Sequence, residues 1–463
     1  MHAPVSAGAP FELKGFWWDA ADGEQATPCF GSLTYEPNTT GICLELVEWQ
    51  GLLRTALASD IAVIFGQTLD GVPCTVFDAL GVNRESRLPG GHSRAELRSS
   101  LMAYGAWLRD PEEFPVRQVT ITWRGLNEWL AASWRGPSGK STGLSRDEPA
   151  IKISLADGAV LTLGFNPRST TAAFEEKQEW IASLTVETPN PIPFGEIRQR
   201  YLVPFHDLVL FGTTEETVTQ SLTLPGLDVQ ESELIEEVHG SVEFIVQDAS
   251  RPLTAKRNPY RHLLMPIAVW RSNPTALAEH WLGLHTKLGK TASLLFATLN
   301  SRPPYIENQL LNLTTFAESY HRTLHDESPI TKEEHSASVT QMLTALPDKR
   351  LQDHYRPRLK YADEQSFRGR MKDLFRRAEG AVEGVKQWRT AGLPDDLIET
   401  RNSLTHRAGD DGNALEDADL FWATRRLLVV LQTNLMLDLH MPADAVAACI
   451  TQRYEADPSL FSG

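Results

Sequence analysis

The chain is poor in cysteine: it holds four, Cys29, Cys43, Cys74 and Cys449, far apart and with no C-x-x-C pair. That excludes a disulfide framework and a thiolate zinc site, and four buried, reduced thiols are expected instead. Long apolar runs are missing as well. No window approaches the roughly 18 uninterrupted apolar residues of a membrane span, and the opening MHAPVSAGAPFELKG lacks the basic start and apolar stretch of a leader. The reading is a cytoplasmic protein with no membrane partner. Positive charge is also short, with 44 Lys and Arg against 60 Asp and Glu and a formal charge of −16. Nucleic-acid binding spread over the whole surface is thereby excluded, because phosphate contacts need concentrated cations.

What is present is ample material for cores: 41% hydrophobic residues and 12 tryptophans in 463 residues. A chain of that length exceeds one compact core, so more than one folding unit is expected. Charge is distributed unevenly. Between Lys349 and Arg389 twelve Lys or Arg face six Asp or Glu, beginning at KRLQDHYRPRLKY and continuing through FRGRMKDLFRR. A polyanion could dock on this stretch, or it could form the solvated faces of amphipathic helices.

The first 250 or so residues read as strands and turns. GSLTYEP, GICLELVEW, IAVIFGQT, PCTVFDAL, RQVTITWRG and SVEFIVQD alternate and carry β-branched and aromatic residues, with Gly, Pro, Asn and Asp between them. An Asp-Gly signal at 156–158 predicts a hairpin between 151–155 and 160–163. Helical interruptions are expected over 94–108 and 174–181, and a docked helix over 193–210. After Pro274 the helix period takes over: Leu277, Trp281, Leu284, Leu288 and Leu295 define one helix, closed by Pro303 and Pro304. Leu310, Leu313, Phe316, Tyr320 and Leu324 define its antiparallel neighbour. Further helices are expected over about 336–346, 364–389, 395–408, 413–439 and 443–456. The expected fold is two-part α+β: an antiparallel β-rich sandwich or barrel-like domain over 1–265, then an all-α bundle over 275–463.

One string in the bundle carries chemistry: Arg401-Asn402-Ser403-Leu404-Thr405-His406. Arg-to-His pairs with four to six residues between them should occur about three times by chance in this composition. Four occur, at Arg87–His92, Arg200–His206, Arg257–His262 and Arg401–His406. Demanding Asn, Asp or His after the arginine leaves two, and Pro259 interrupts the Arg257 string. Only the Arg401 string falls on a predicted helix between long apolar partners.

This string resembles the signature of the HEPN superfamily of ribonucleases: Arg, a polar residue, then His. Residues 305–326, YIENQLLNLTTFAESYHRTLHD, look like the opening of the HEPN branch in ApeA-type anti-phage proteins, and the β-rich region resembles the domain preceding HEPN there. The resemblance implies an HEPN-type bundle and an endoribonuclease of abortive infection, cutting host RNA, tRNA in particular, without metal or other cofactor. It also implies a homodimer through the bundle, with higher oligomers open, and an unknown phage-derived trigger at the β domain. Arg401, Asn402 and His406 would be catalytic. Helix geometry is compatible with a composite site. Arg401 and His406 differ by about 140° in direction, so one helix does not aim both at one phosphate. Two helices meeting at a two-fold axis could.

Arg401 also falls in an apolar stripe with Leu397 and Leu404, where a guanidinium needs a carboxylate or a phosphate. Glu318, His321 and Arg322 are the supporting candidates on the neighbouring helix, Glu318 and Arg322 standing at i and i+4. Glu318 becomes the partner of Arg401 if packing brings the two together. Arg368, Arg370, Arg376, Arg377 and Arg407 are candidates for RNA contact. GPSGKST at 136–142 lacks the gap of a phosphate loop and reads as a turn. A second reading keeps the bundle as a non-catalytic dimerising scaffold beside an aromatic ligand-recognition domain. A third makes it the target of nucleotidylation in a toxin and antitoxin pair.

Overall fold

The computed structural model describes residues 5, 9–37, 41–47, 61–85, 94–131, 150–172, 175–214, 217–227, 232–246, 263–301, 305–325, 330–382, 392–406 and 414–456. The chain divides into two compact units at Leu282 and Gly283. Among the described residues thirteen antiparallel strands build the first: β1 (Phe11–Asp19), β2 (Cys29–Glu36), β3 (Gly41–Val47), β4 (Ile61–Thr68), β5 (Pro73–Glu85), β6 (Arg94–Ser99), β7 (Leu101–Leu108), β8 (Pro115–Trp123), β9 (Ile151–Ser154), β10 (Val160–Ala172), β11 (Glu175–Pro193), β12 (Thr219–Leu224) and β13 (Ile235–Val246). Their order is β4-β1-β2-β3-β6-β5-β7-β13-β12-β8-β11-β10-β9, and β4 pairs with β5 as well. That extra pairing closes six strands into a barrel. Alternation along β2 turns Cys29, Leu33 and Tyr35 inward, where they meet Trp17, Leu44, Ile64, Val76 and Leu97. Gly66 permits this packing, since a Cβ there would lie 2.2 Å from the Trp17 ring.

The remaining strands fan out from β7 as an open sheet. Against it lie α1 (Leu126–Ala131), α2 (Phe194–Ile197) and α3 (Val203–Thr213), the last two joined by a π turn over Arg198–Leu202. This segment is the docked helix expected over 193–210. The β9–β10 hairpin turns on Gly158, at φ 87°, with Gly158 N–H donating to the Leu155 carbonyl. All four cysteines are buried and unbridged.

Two expected helices are strands. Residues 94–108 form β6 and β7, and 175–181 belong to β11. In β7 the burial recurs every third residue because both faces are covered, which imitates the helix period. Residues 175–181 are rich in helix formers, yet β11 pairs with β10 from Glu175 to Glu187, and tertiary pairing overrides propensity.

The second unit is helical. Its elements are the end of α4 (Pro274–Leu288), then α5 (Lys290–Ser301), α6 (Ile306–Leu324), α7 (Lys332–Thr344), α8 (Lys349–Leu359), α9 (Phe367–Ala381), α10 (Leu393–His406), α11 (Asp417–Asp438) and α12 (Ala443–Ala456). The single helix expected from Leu277 to Leu295 is broken at Gly289, whose φ of +51° is left-handed. α6, α9 and α11 pack on one another, with α5, α10 and α12 around them. The core runs through Leu310, Leu313, Phe316 and Tyr320 of α6, Met371, Leu374 and Phe375 of α9, and Leu427, Val430 and Leu435 of α11. α8, unforeseen as a separate element, buries no residue. Among the described residues no helix is long and apolar enough to cross a membrane. Pro303, Pro304, GPSGKST and the Arg87–His92 and Arg257–His262 strings lie outside the described residues.

Candidate active site in the helical unit

α10 begins at a local signal. Gly392 adopts φ +83°, its carbonyl receives Asp395 N–H and Asp396 N–H, and the two aspartates place negative charge at the helix N-terminus. Leu397 and Ile398 are buried, and Thr400 is buried with its hydroxyl accepting from Leu415 N–H. These contacts settle which face of the helix looks inward. Leu404, expected on that face, is 39% exposed because the packing stops a turn earlier.

Arg401 comes next along the helix, half-buried at the rim. Its Nη2 stands 3.7 Å from Glu318 Oε2 on α6, and its guanidinium lies over the Phe367 ring of α9 at 4.9 Å. Asn402 Oδ1 is 3.4 Å from Arg401 Nη1. The carboxylate and the ring hold a guanidinium that stays 27% exposed and has more N–H groups than these contacts use, an arrangement suited to an anion. His406 closes α10 as its last residue; its side chain, like all of Arg407, lies outside what the structure describes.

Glu318 is itself held. Arg322 Nη2 and Arg370 Nη1 approach its Oε1 at 3.6 and 3.8 Å, and both arginines also bind Glu364, at 3.2 and 3.1 Å. Arg370 is 1% exposed, so this candidate for RNA contact belongs to the interior of the bundle. Burying a guanidinium is costly without carboxylates, and Glu318 and Glu364 supply them.

The contact between Glu318 and Arg370 is the first of three rungs. His321 Nε2 donates to Asp373 Oδ2 at 3.0 Å, and Arg377 Nη1 stands 2.7 Å from His325 Nε2. Equal steps of three and four residues on both helices mean that α6 and α9 run parallel along a polar seam. His321 is fully buried, with no partner for Nδ1 among the described residues, and burial holds its pKa below the usual histidine value against the pull of Asp373. At the far end Asp438 of α11 accepts from Arg377 Nη2 at 2.7 Å, His325 Nε2 at 2.8 Å and the Tyr320 hydroxyl. Burial works against its charge, but these three donors outweigh burial and its pKa is lowered.

The other predicted arginines scatter. Arg368 pairs with Asp395, which Lys372 also binds at 3.0 Å, and Arg376 pairs with Asp373 at 3.1 Å. Phe367, Glu364, Asp373 and Asp438 went unnoticed in the sequence. The matching steps 318, 321, 325 and 370, 373, 377 were the one available signal for the seam.

Two family models match this chain. Apea-like HEPN matches residues 311–445, which hold α6, α9 and the Arg401 string. ApeA N-terminal domain 1 matches residues 12–268, more than half of the chain and nearly all of the β unit. No curated protein and no solved structure matches it.

Proposed function

The chain belongs to the ApeA-like HEPN family, an anti-phage defence family with a nuclease-type bundle, and on that footing we propose that it is an endoribonuclease cutting host RNA, tRNA foremost, at a composite site. The observation that carries this reading is the anchored guanidinium of Arg401, oriented by Glu318 and Phe367 with donors left for a phosphate oxygen. In this reading two bundles meet about a two-fold axis and each α10 faces its partner's. Arg401 then holds a non-bridging oxygen and its bond strengthens as negative charge builds on the phosphorane. A histidine, His406, takes the proton from the ribose 2′-hydroxyl as that oxygen attacks phosphorus. The 5′-oxygen leaves and receives a proton from the partner's histidine or from water, so the products are a 2′,3′-cyclic phosphate and a 5′-hydroxyl. The C-terminal end of a helix suits His406 to this work, because the local dipole stabilises the positive charge that the imidazole gains as it takes the proton. Asn402 orients the scissile group or the imidazole.

The chemistry needs no metal. Glu318, the carboxylate nearest Arg401, is surrounded by three guanidinium groups that disfavour a divalent cation there. The β unit would receive the phage-derived trigger and release the nuclease, and higher oligomers remain compatible with the scheme.

The test is expression of the wild type beside His406→Ala, with total small RNA resolved on a gel and the ends chemically typed. Growth arrest and cyclic-phosphate ends from the wild type alone, persisting in a chelator, are the expected result. RNA profiles identical for both proteins would overturn the nuclease and leave a dimerising scaffold.

A further inference from the structure

The basic residues of α8 and α9 differ in what holds them. Those on α9 are tied to carboxylates: Arg368, Arg370, Lys372, Arg376 and Arg377 each pair with a described acidic residue. Those on α8 are not. Lys349, Arg350, Arg356 and Arg358 form no ion pair with any described acidic side chain, and Arg358 turns back only onto His354 of its own helix. Lys360, at the helix cap, lies over the Tyr361 ring at 4.8 Å.

α8 also does little for the core. It packs chiefly on α7 and buries no residue, and Tyr355 on the helix and Tyr361 just past its end are 42% and 58% exposed. A helix of this length is marginal alone, so its side chains are poorly explained by stability. From Lys349 to Tyr361 five cations stand against one acid, Asp353, inside a chain of charge −16. On the helix Lys349, Arg356 and Lys360 fall within about 40° of one direction, at steps of about 10 and 6 Å. Cations in a row with exposed aromatic faces beside them match a sugar-phosphate backbone and its bases. The acidic remainder repels the same polyanion and thereby directs it to this helix.

We propose that α8, carried on the α7–α8 hairpin, is the surface on which RNA docks before cleavage: Lys349, Arg350, Arg356 and Lys360 contact phosphates and Tyr355 and Tyr361 stack on unpaired bases. This rests on the ribonuclease reading for its purpose but not for its measurement. Full-length protein carrying His406→Ala is titrated with fluorescein-labelled bulk tRNA at several salt concentrations. The same titration is made with Lys349→Gln, Arg356→Gln and Lys360→Gln added, and with a charge-matched control triple on the barrel and the adjoining end of β7, Lys14→Gln, Arg98→Gln and Arg109→Gln (the barrel triple). The α8 triple is expected to bind at least about tenfold more weakly and to lose about 2 from the slope of log affinity against log salt. The barrel triple should bind as the parent does. Circular dichroism checks the fold, which is expected to survive because α8 buries nothing. Equal affinity and slope for the α8 triple, or an equal loss in the barrel triple, overturns the proposal. RNA bound through α8 by a wild type that cleaves none would sink the nuclease and leave this surface standing. Cleavage by a wild type whose α8 triple binds unchanged would do the reverse, and a wild type that neither binds nor cleaves RNA overturns both.

Discussion

Glu318 on α6 and Arg401 on α10 meet at 3.7 Å although three helices separate them in sequence. The pair gives Arg401 a fixed direction, and fixed direction is what a group must have if it is to stabilise charge that exists only in the transition state.

Removing the guanidinium should therefore act on turnover. Arg401→Ala is expected to lower kcat for RNA cleavage by about 10²–10³-fold with a smaller change in KM. Glu318→Gln, which keeps shape and loses the charge, should cost about tenfold to 10²-fold, and Glu318→Asp less. Single-turnover kinetics on one RNA check this, and an undiminished kcat in Glu318→Gln would show that the pair does not serve the reaction.

The buried Arg370 should matter for folding. Arg370→Met removes the buried cation between Glu318 and Glu364 and leaves only the exposed Arg322 to bridge them, and a loss of about 3 kcal/mol is expected. Adding Glu318→Gln should recover part of that loss, a coupling of about 1 kcal/mol in a double-mutant cycle by urea unfolding. Strict additivity would mean that the two groups do not share an ion pair in solution.

The seam predicts how stability follows pH. His321 protonates less readily in the fold than in the unfolded chain. The unfolded chain thus binds more protons as pH falls below about 6.5, and stability declines from there until the folded imidazole also protonates. Asp438 acts lower: its depressed pKa adds stability above about pH 4 that disappears as acid protonates it. The melting temperature should fall between pH 7 and pH 5.5, and His321→Gln should flatten that part of the curve. A parallel fall in both proteins would place the proton uptake elsewhere.

In the barrel the contact between Gly66 and Trp17 sets a steric limit. Gly66→Ala should destabilise by about 1–3 kcal/mol, since the added methyl meets the indole ring. Pairing it with Trp17→Leu should return part of the loss, read by thermal unfolding of both variants. No recovery would mean that strand backbone, not the ring, resists the methyl.

Much of this architecture was legible in the residues. The change from alternation to a helix period near Pro274, the Asp-Gly hairpin and the Arg401 string are short-range patterns, and each is visible in one window of sequence. β7 was misread because a strand buried on both faces loses its alternation, and β11 because its helix formers answer to β10. The break at Gly289 is a single left-handed residue inside an otherwise continuous apolar period.

The amino-acid order alone determined that a β-rich part precedes a helical part and that Arg, Asn and His stand together on one helix. The tertiary structure decided which cations are occupied: Arg370 sinks between Glu318 and Glu364, Arg401 rests at the rim, and those of α8 face solvent. The reason is physical. Periodicity is a property of neighbours along the chain, whereas an ion pair depends on the distance between helices, and nothing local to 401 records how near residue 318 will come.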